Sequence, residues 1–309
     1  MGGINSQIKE KKIINEYVGS IHSLLLLKDG RLAACSSHKT VKIYDLSTFE
    51  FLFSLKGHTE LVTYVCQLDN NYLVTSSHDR TLKIWFPLDN IFGMSFSIKA
   101  HKGKINKVIA LTNNRIASCS EDNTIKIWQA SNPYQKIKSL KGRDKGIDSI
   151  HQIKGREQLI SGSYYSKNIK VWSLVSYRCE TIIEDIYTFN RNSIFEDEYH
   201  RLYIGGVNEI FIMKSYNLSL IKIINNDDFS FVSSICVVNE NIVLCGCEDG
   251  KMYAINPENE YSYHLLKSKA HDDEINTLIT IKQNIVVSGS YDKKIKIWTI
   301  HNNNTNSSK

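Results

Sequence analysis

Apolar and polar residues alternate along this chain over short stretches, and the stretches come in groups of four. Ile105-Asn-Lys-Val-Ile-Ala-Leu111 is followed by Arg115-Ile-Ala-Ser118, by Thr124 to Trp128 and by Lys136-Ile-Lys-Ser-Leu140. A period of two is the signature of a half-buried β-strand. The joins Thr112-Asn-Asn114, Glu121-Asp-Asn123 and Lys141-Gly142 carry residues that tight turns favour. Each group is predicted as a four-stranded antiparallel sheet, and strands this short need neighbouring sheets to stack on.

The group recurs. One phrase returns as Thr40-Val-Lys-Ile-Tyr44, Thr81-Leu-Lys-Ile-Trp85, Thr124-Ile-Lys-Ile-Trp128, Asn168-Ile-Lys-Val-Trp172 and Lys294-Ile-Lys-Ile-Trp298. The aromatic residues step by 41, 43 and 44 positions, and the last gap of 126 has room for two more repeats of 42. Turn residues place Met213 and Ile255 in the aromatic slot of those two, whose alternation (Asn208-Glu-Ile-Phe-Ile212, Asn241-Ile-Val-Leu-Cys245) still reads as strand. Repeats of this length, made of four strands each, stack radially into a propeller.

The phrase and its surroundings resemble the WD-repeat β-propeller family from about Ile8 to Ile300. Gly57-His58, Ala100-His101 and Ala270-His271 precede a first strand; Thr75, Ser118 and Ser288 lie on a second; Asp79, Asp122 and Asp292 follow in the turn; Trp85, Trp128 and Trp298 end the third. The resemblance implies that each His–Asp–Ser/Thr–Trp set forms a buried hydrogen-bonded tetrad. The same groups recur at the repeat period, which one active site would not require, so their expected role is structural. The chain departs from the family in several places. Phe86, Gln129, Ser173 and Thr299 follow the aromatic residue, and only Tyr44-Asp45 keeps the acid. Arg143 stands where the fourth repeat's His belongs, Tyr164-Tyr165-Ser166 enlarges a turn, and the fifth and sixth repeats lack the Trp.

The expected fold is therefore all-β: a seven-bladed β-propeller of four-stranded antiparallel blades over residues 8–300. The last repeat stops after Trp298-Thr-Ile300, and Ile13-Ile-Asn-Glu-Tyr-Val18 followed by Gly19 matches Phe51-Leu-Phe-Ser-Leu-Lys56 followed by Gly57. The N-terminal strand is thus expected to close the ring and remove its open edges. Residues 1–7 read as a flexible start and the Asn-rich tail 301–309 as disordered.

Composition then narrows the function. There is no early apolar run fit for a signal peptide and no stretch fit to span a bilayer, which points to the cytoplasm or nucleus. Seven cysteines without regular spacing fit free thiols, and Cys245-x-Cys247 reads as core. Thirty-eight basic against 32 acidic residues give a net charge of +6, spread along the chain, which does not by itself indicate nucleic acid. The third-strand Lys42, Lys83, Lys126, Lys170 and Lys296 read as stems packed along a blade with the ammonium reaching water. Phosphate-loop, nucleophile-elbow and zinc-helix motifs are missing, so neither an enzyme nor a cofactor or metal is expected. The start Met1-Gly-Gly-Ile-Asn-Ser6 has the form of a myristoylation site on Gly2, and Lys9, Lys11 and Lys12 offer the second signal that a single acyl chain needs at a membrane.

Function on a propeller is expected in the loops where first strands begin and second strands end. By resemblance, the residues facing a partner are Leu61, Thr63 and His78, with Lys104, Asn106 and Glu121 in the next repeat, then Asp148 and Tyr165. Phe231, Ser233 and Glu248 follow, then Glu274, Asn276 and Tyr291, with His22 and His38 from the first repeat. Leu61, Phe231 and Tyr291 are candidate apolar anchors. Four acids against one lysine favour a basic peptide segment over a phosphate backbone. The expected function is a non-catalytic protein-interaction scaffold, a subunit of a larger assembly. The alternative is a propeller attached to a membrane or nucleic acid, which a basic stripe on one face would mark.

Overall fold

The chain, seen in a computed structural model, is described for residues 6–15, 19–142, 146–163, 166–186 and 192–302. These residues form seven four-stranded antiparallel sheets. Blade one comprises Ile21–Leu26, Leu32–Ser36, Thr40–Tyr44 and Phe51–Lys56, and blades two to six repeat this order outward from first to fourth strand. Blade seven takes Thr277–Lys282, Ile285–Gly289 and Ile295–Asn302 from the end of the chain and its outermost strand, Ser6–Ile14, from the beginning.

The first strands of successive blades touch one another, and that of blade seven touches that of blade one, which closes the ring. Each interface between neighbouring blades holds its own apolar cluster. Val74, Leu82 and Ile84 of blade two meet Val108, Ile116 and Trp128 of blade three, and Val287, Ile295 and Ile297 of blade seven meet Ile21, Leu24 and Leu32 of blade one. The core is thus spread around the ring, because a single short-stranded sheet has no other way to bury both of its faces. Met213 lies opposite Leu202 and Ile255 opposite Val243, as Trp128 lies opposite Ile116, so the fifth and sixth blades keep the aromatic slot without the aromatic.

The closing strand differs in register from the sequence alignment. Glu10, not Ile13, lies opposite Trp298 as Phe51 lies opposite Tyr44, and Ile14 takes the place of Leu55. Burial decides this. Only one of the adjacent isoleucines can face the core, and Ile14 is buried against Ile21 and Ile295 while Ile13 is exposed. Glu16, Tyr17 and Val18 of the expected strand lie outside the described residues. The ladder runs from Ser6 opposite Asn302, slightly beyond the 8–300 span at both ends.

Cys245 and Cys247 are fully buried, free and packed in the core between blades five and six. Burial pushes the Cys247 thiol up to about 12.

Candidate functional site: the upper face

The face where first strands begin and second strands end is called here the upper face. In blades two, three and seven the turns of this face are held by one network. Trp85 Nε1 donates to Thr75 Oγ1 at 2.9 Å, Thr75 Oγ1 meets His58 Nε2 at 2.8 Å, and His58 Nδ1 meets Asp79 at 2.7 Å. Trp128, Ser118, His101 and Asp122 repeat it at 3.0, 2.8 and 3.0 Å, and Trp298, Ser288, His271 and Asp292 at 2.7, 2.6 and 2.8 Å. One assignment satisfies every proton: the indole donates to the hydroxyl, the hydroxyl to Nε2, and Nδ1–H to the carboxylate, which makes each histidine neutral.

Electrostatics agree with that assignment. Burial, only partly offset by the aspartate, holds His58, His101 and His271 below their ordinary value. Burial alone would raise the aspartates, but hydrogen bonds from the histidine and from neighbouring groups outweigh it and hold all three well below the usual range, Asp292 at about 2.

Two partners of this lock escaped the sequence reading. Thr81 and Thr124 Oγ1 donate to Asp79 and Asp122 at 2.6 and 2.5 Å. Three of the third-strand lysines turn inward instead of reaching water: Lys126 Nζ donates to the Ala100 carbonyl at 2.6 Å and Lys296 Nζ to that of Ala270 at 2.7 Å, while Lys83 Nζ donates to Ser97 Oγ at 3.0 Å. Their recurrence at one position was the signal. In blades three and seven the carbonyls before His101 and His271 supply the physical reason, since each needs a donor.

The residues expected to face a partner fall into two groups. Thr63, Asn106, Ser233, Glu274 and Asn276 are buried, as is His22. Asn106 Nδ2 donates to the Ile147 carbonyl and to Asp148 at 3.0 Å, Asn276 Nδ2 to the Ile21 carbonyl at 2.9 Å, and Ser233 Oγ to the Ile275 carbonyl at 2.8 Å. These side chains stitch one blade to the next, since the top of a first strand faces its neighbour across the narrow ring. The exposed or half-buried group comprises Leu61, His78, Lys104, Glu121, Asp148, Phe231, Glu248, Tyr291 and His38. Tyr165, Gly2 and Arg143 lie outside the described residues.

Charge is divided across this face. Lys39, Arg80, Lys102 and Lys104 are exposed on blades one to three, where Glu121 lies 4.0 Å from Lys104. On blades six and seven Glu248, Asp249, Asp272 and Asp273 are exposed. Lys251 pairs with Asp249, and Lys269 and Lys294 pair with Asp272, whereas Glu248 and Asp273 form no ion pair among the described residues. Burial, then the nearby Asp249 and Asp273, push the Glu248 carboxyl up. Tyr291, 37% exposed, stands beside them with its ring edge-on to His22 at 5.4 Å. Of these acids the sequence reading assigns Glu248 alone to a partner.

Comparison with known proteins follows the same three blades. Residues 49–85, 93–129 and 263–299 match the family model "WD domain, G-beta repeat". Each match takes the fourth strand of one blade and three strands of the next, and each contains one complete tetrad. The protein is a seven-bladed β-propeller that carries three WD repeats. Over 90 residues, 28% of its length, it is 32% identical to "Mitochondrial division protein 1" of Schizosaccharomyces pombe. Over 68 residues, 21% of its length, it is 38% identical to "Target of rapamycin complex subunit LST8" of Saccharomyces cerevisiae. The matches span 13% and 22% of those proteins' own lengths. WD-repeat propellers generally act as protein-interaction scaffolds and are typically non-catalytic.

Proposed function

We propose that this propeller is a cytoplasmic scaffold, a subunit of a larger assembly, that holds a protein partner by a basic segment laid over blades six, seven and one. The observation that carries the reading is the pair Glu248 and Asp273, exposed and without cationic partners among the described residues, beside the exposed ring of Tyr291. Carboxylates kept close together gain when a cation arrives, and an exposed aromatic gains when it is covered. Phe231, half-buried at the mouth of blade six, extends the apolar floor.

The experiment is affinity capture with crosslinking mass spectrometry, followed by binding measurements on the crosslinked partner. Tyr291→Ala is expected to cost about 2 kcal/mol of affinity, as a central anchor does. Glu248→Lys with Asp273→Lys is expected to slow association and flatten its salt dependence. A partner that binds both variants as it binds the parent protein refutes the reading.

A second reading rests on the basic sector of Lys39, Arg80, Lys102 and Lys104, together with Gly2 as a myristoylation site. Lys9 and Lys11 project from the outermost strand of blade seven, while Lys12 is engaged by the Thr48 carbonyl at 2.6 Å. Vesicles containing anionic lipid are its test. Binding that needs acylated Gly2 and is lost with Lys9→Glu supports a membrane contact, and binding indifferent to both removes it.

A further inference from the structure

The face opposite the tetrads carries a pocket of about 260 Å³ between blades five and six. Its floor is Phe195 and Val237, its rim holds Tyr199, Glu198 and Glu240, and Lys154 of blade four closes one end. The rim is built rather than incidental. Asp197, almost fully buried, accepts from the backbone N–H groups of Tyr199 and Arg201 at 2.9 and 2.8 Å and from Arg201 Nε at 2.5 Å, which fixes the turn that presents Tyr199. The Arg201 guanidinium covers the Tyr199 ring at 4.8 Å and reaches Glu258 at 3.1 Å. Tyr199 stays 56% exposed, and its hydroxyl donates to Glu240 at 3.4 Å across the blade junction.

We propose that this lower pocket is a second binding site, distinct from the upper face, that takes a single basic side chain, lysine or arginine, from a partner polypeptide. The pocket lies at the small end of the roughly 300–1,000 Å³ of sites that enclose small-molecule ligands, a size that one long side chain suits. An apolar floor suits the methylene stem of such a residue. The two rim carboxylates suit its charged head. Charge decides between a cation and a neutral apolar guest: Asp197 is neutralised by Arg201, and Glu198 with Glu240 outnumber Lys154.

The test titrates the intact protein with N-acetyl-lysine amide, N-acetyl-arginine amide and the uncharged N-acetyl-norleucine amide. Methyl resonances of Val237 and Val238 are followed by NMR. Saturable shifts with the two cationic probes are expected, with norleucine at least ten-fold weaker and the Glu198→Gln/Glu240→Gln variant equally weakened at an unchanged melting temperature. An equal response to norleucine, a response indifferent to the double variant, or no saturable shift at these valines overturns the proposal. Shifts confined to residues around Tyr291 and Glu248 also overturn it while leaving the upper-face reading intact. Shifts confined to Val237 and Val238 support the lower pocket and leave the upper-face reading to its own test.

Discussion

Blades two, three and seven and blades five and six solve the same problem at opposite ends of the sheet. In the first group an Asp–His–Ser/Thr–Trp chain fixes the upper turns; the histidine, hydroxyl and indole are buried, the aspartate is half-buried, and the donors and acceptors of the chain are met. Blades five and six lack the tryptophan and tie their lower turns instead. Asp197 gathers Arg201 and Tyr203 and through Arg201 reaches Glu258 of blade six, while the buried Glu196 accepts from the Lys154 backbone N–H at 2.8 Å and meets His151 of blade four at 3.2 Å. The tetrad locks a blade internally. The lower network locks one blade to the next. A repeat can therefore lose its signature residues without losing its place in the ring, provided that another polar network restrains its turns.

The largest effect tests whether a tetrad is enough. Blade seven has a complete one, yet its outermost strand comes from the start of the chain and shields Trp298, with Glu10 3.3 Å from Lys296. Deleting residues 1–15 exposes that edge and is expected to cause aggregation or a large fall in melting temperature by circular dichroism. An unchanged melting temperature would mean that the tetrad alone holds the blade.

Next in size is Asp197→Ala. It leaves the largely buried Arg201 guanidinium with Glu258 as its remaining carboxylate partner and frees the turn at 197–201. Removing one partner of a buried ion pair costs about 3 kcal/mol or more, read as a shift in the denaturant midpoint. Asp122→Ala, which strands His101 Nδ1 but leaves a partly exposed turn, is expected to cost about 1–3 kcal/mol and to leave partner binding at permissive temperature intact. If Asp122→Ala proved the more damaging of the two, the lower network would be ornament rather than lock.

The two groups also differ in how far the sequence reveals them. The tetrads were legible because each member occupies a fixed slot of a 42-residue period, and the slots of Met213 and Ile255 followed from the same ruler. Asp197, Arg201, Tyr203 and Glu258 belong to no repeated phrase, so nothing in the spacing joins them. Ring closure was legible in kind but not in register, since Ile13 and Ile14 offer the same hydrophobicity and only packing chooses between them. The upper-face positions were legible in place but not in burial: Asn106, Ser233 and Asn276 look like surface residues until the neighbouring carbonyl supplies a partner.

The smallest effect concerns pH. The tetrad histidines are held below the ordinary 6.5 by burial, so the unfolded chain takes up their protons first as pH falls. Their contribution is fully present above about 6.5 and is lost as pH drops below it. The tetrad aspartates are depressed as well, so their contribution is present above the ordinary 3.8 and lost only as pH falls toward 2. Both signs agree: acid destabilises, histidines first and carboxylates later. In the lower network Glu196 at about 2 and the depressed His151 behave alike. The melting temperature is therefore expected to be flat from pH 8 to 7 and to decline from pH 6.5 to 5. His101→Gln, which keeps polar atoms at the ring but does not titrate, should lower stability at pH 7.5 yet make that decline shallower. A melting temperature that rises on acidification from pH 7.5 to 5.5 would show the histidines charged in the fold, and the proton assignment of the tetrad would have to be reversed.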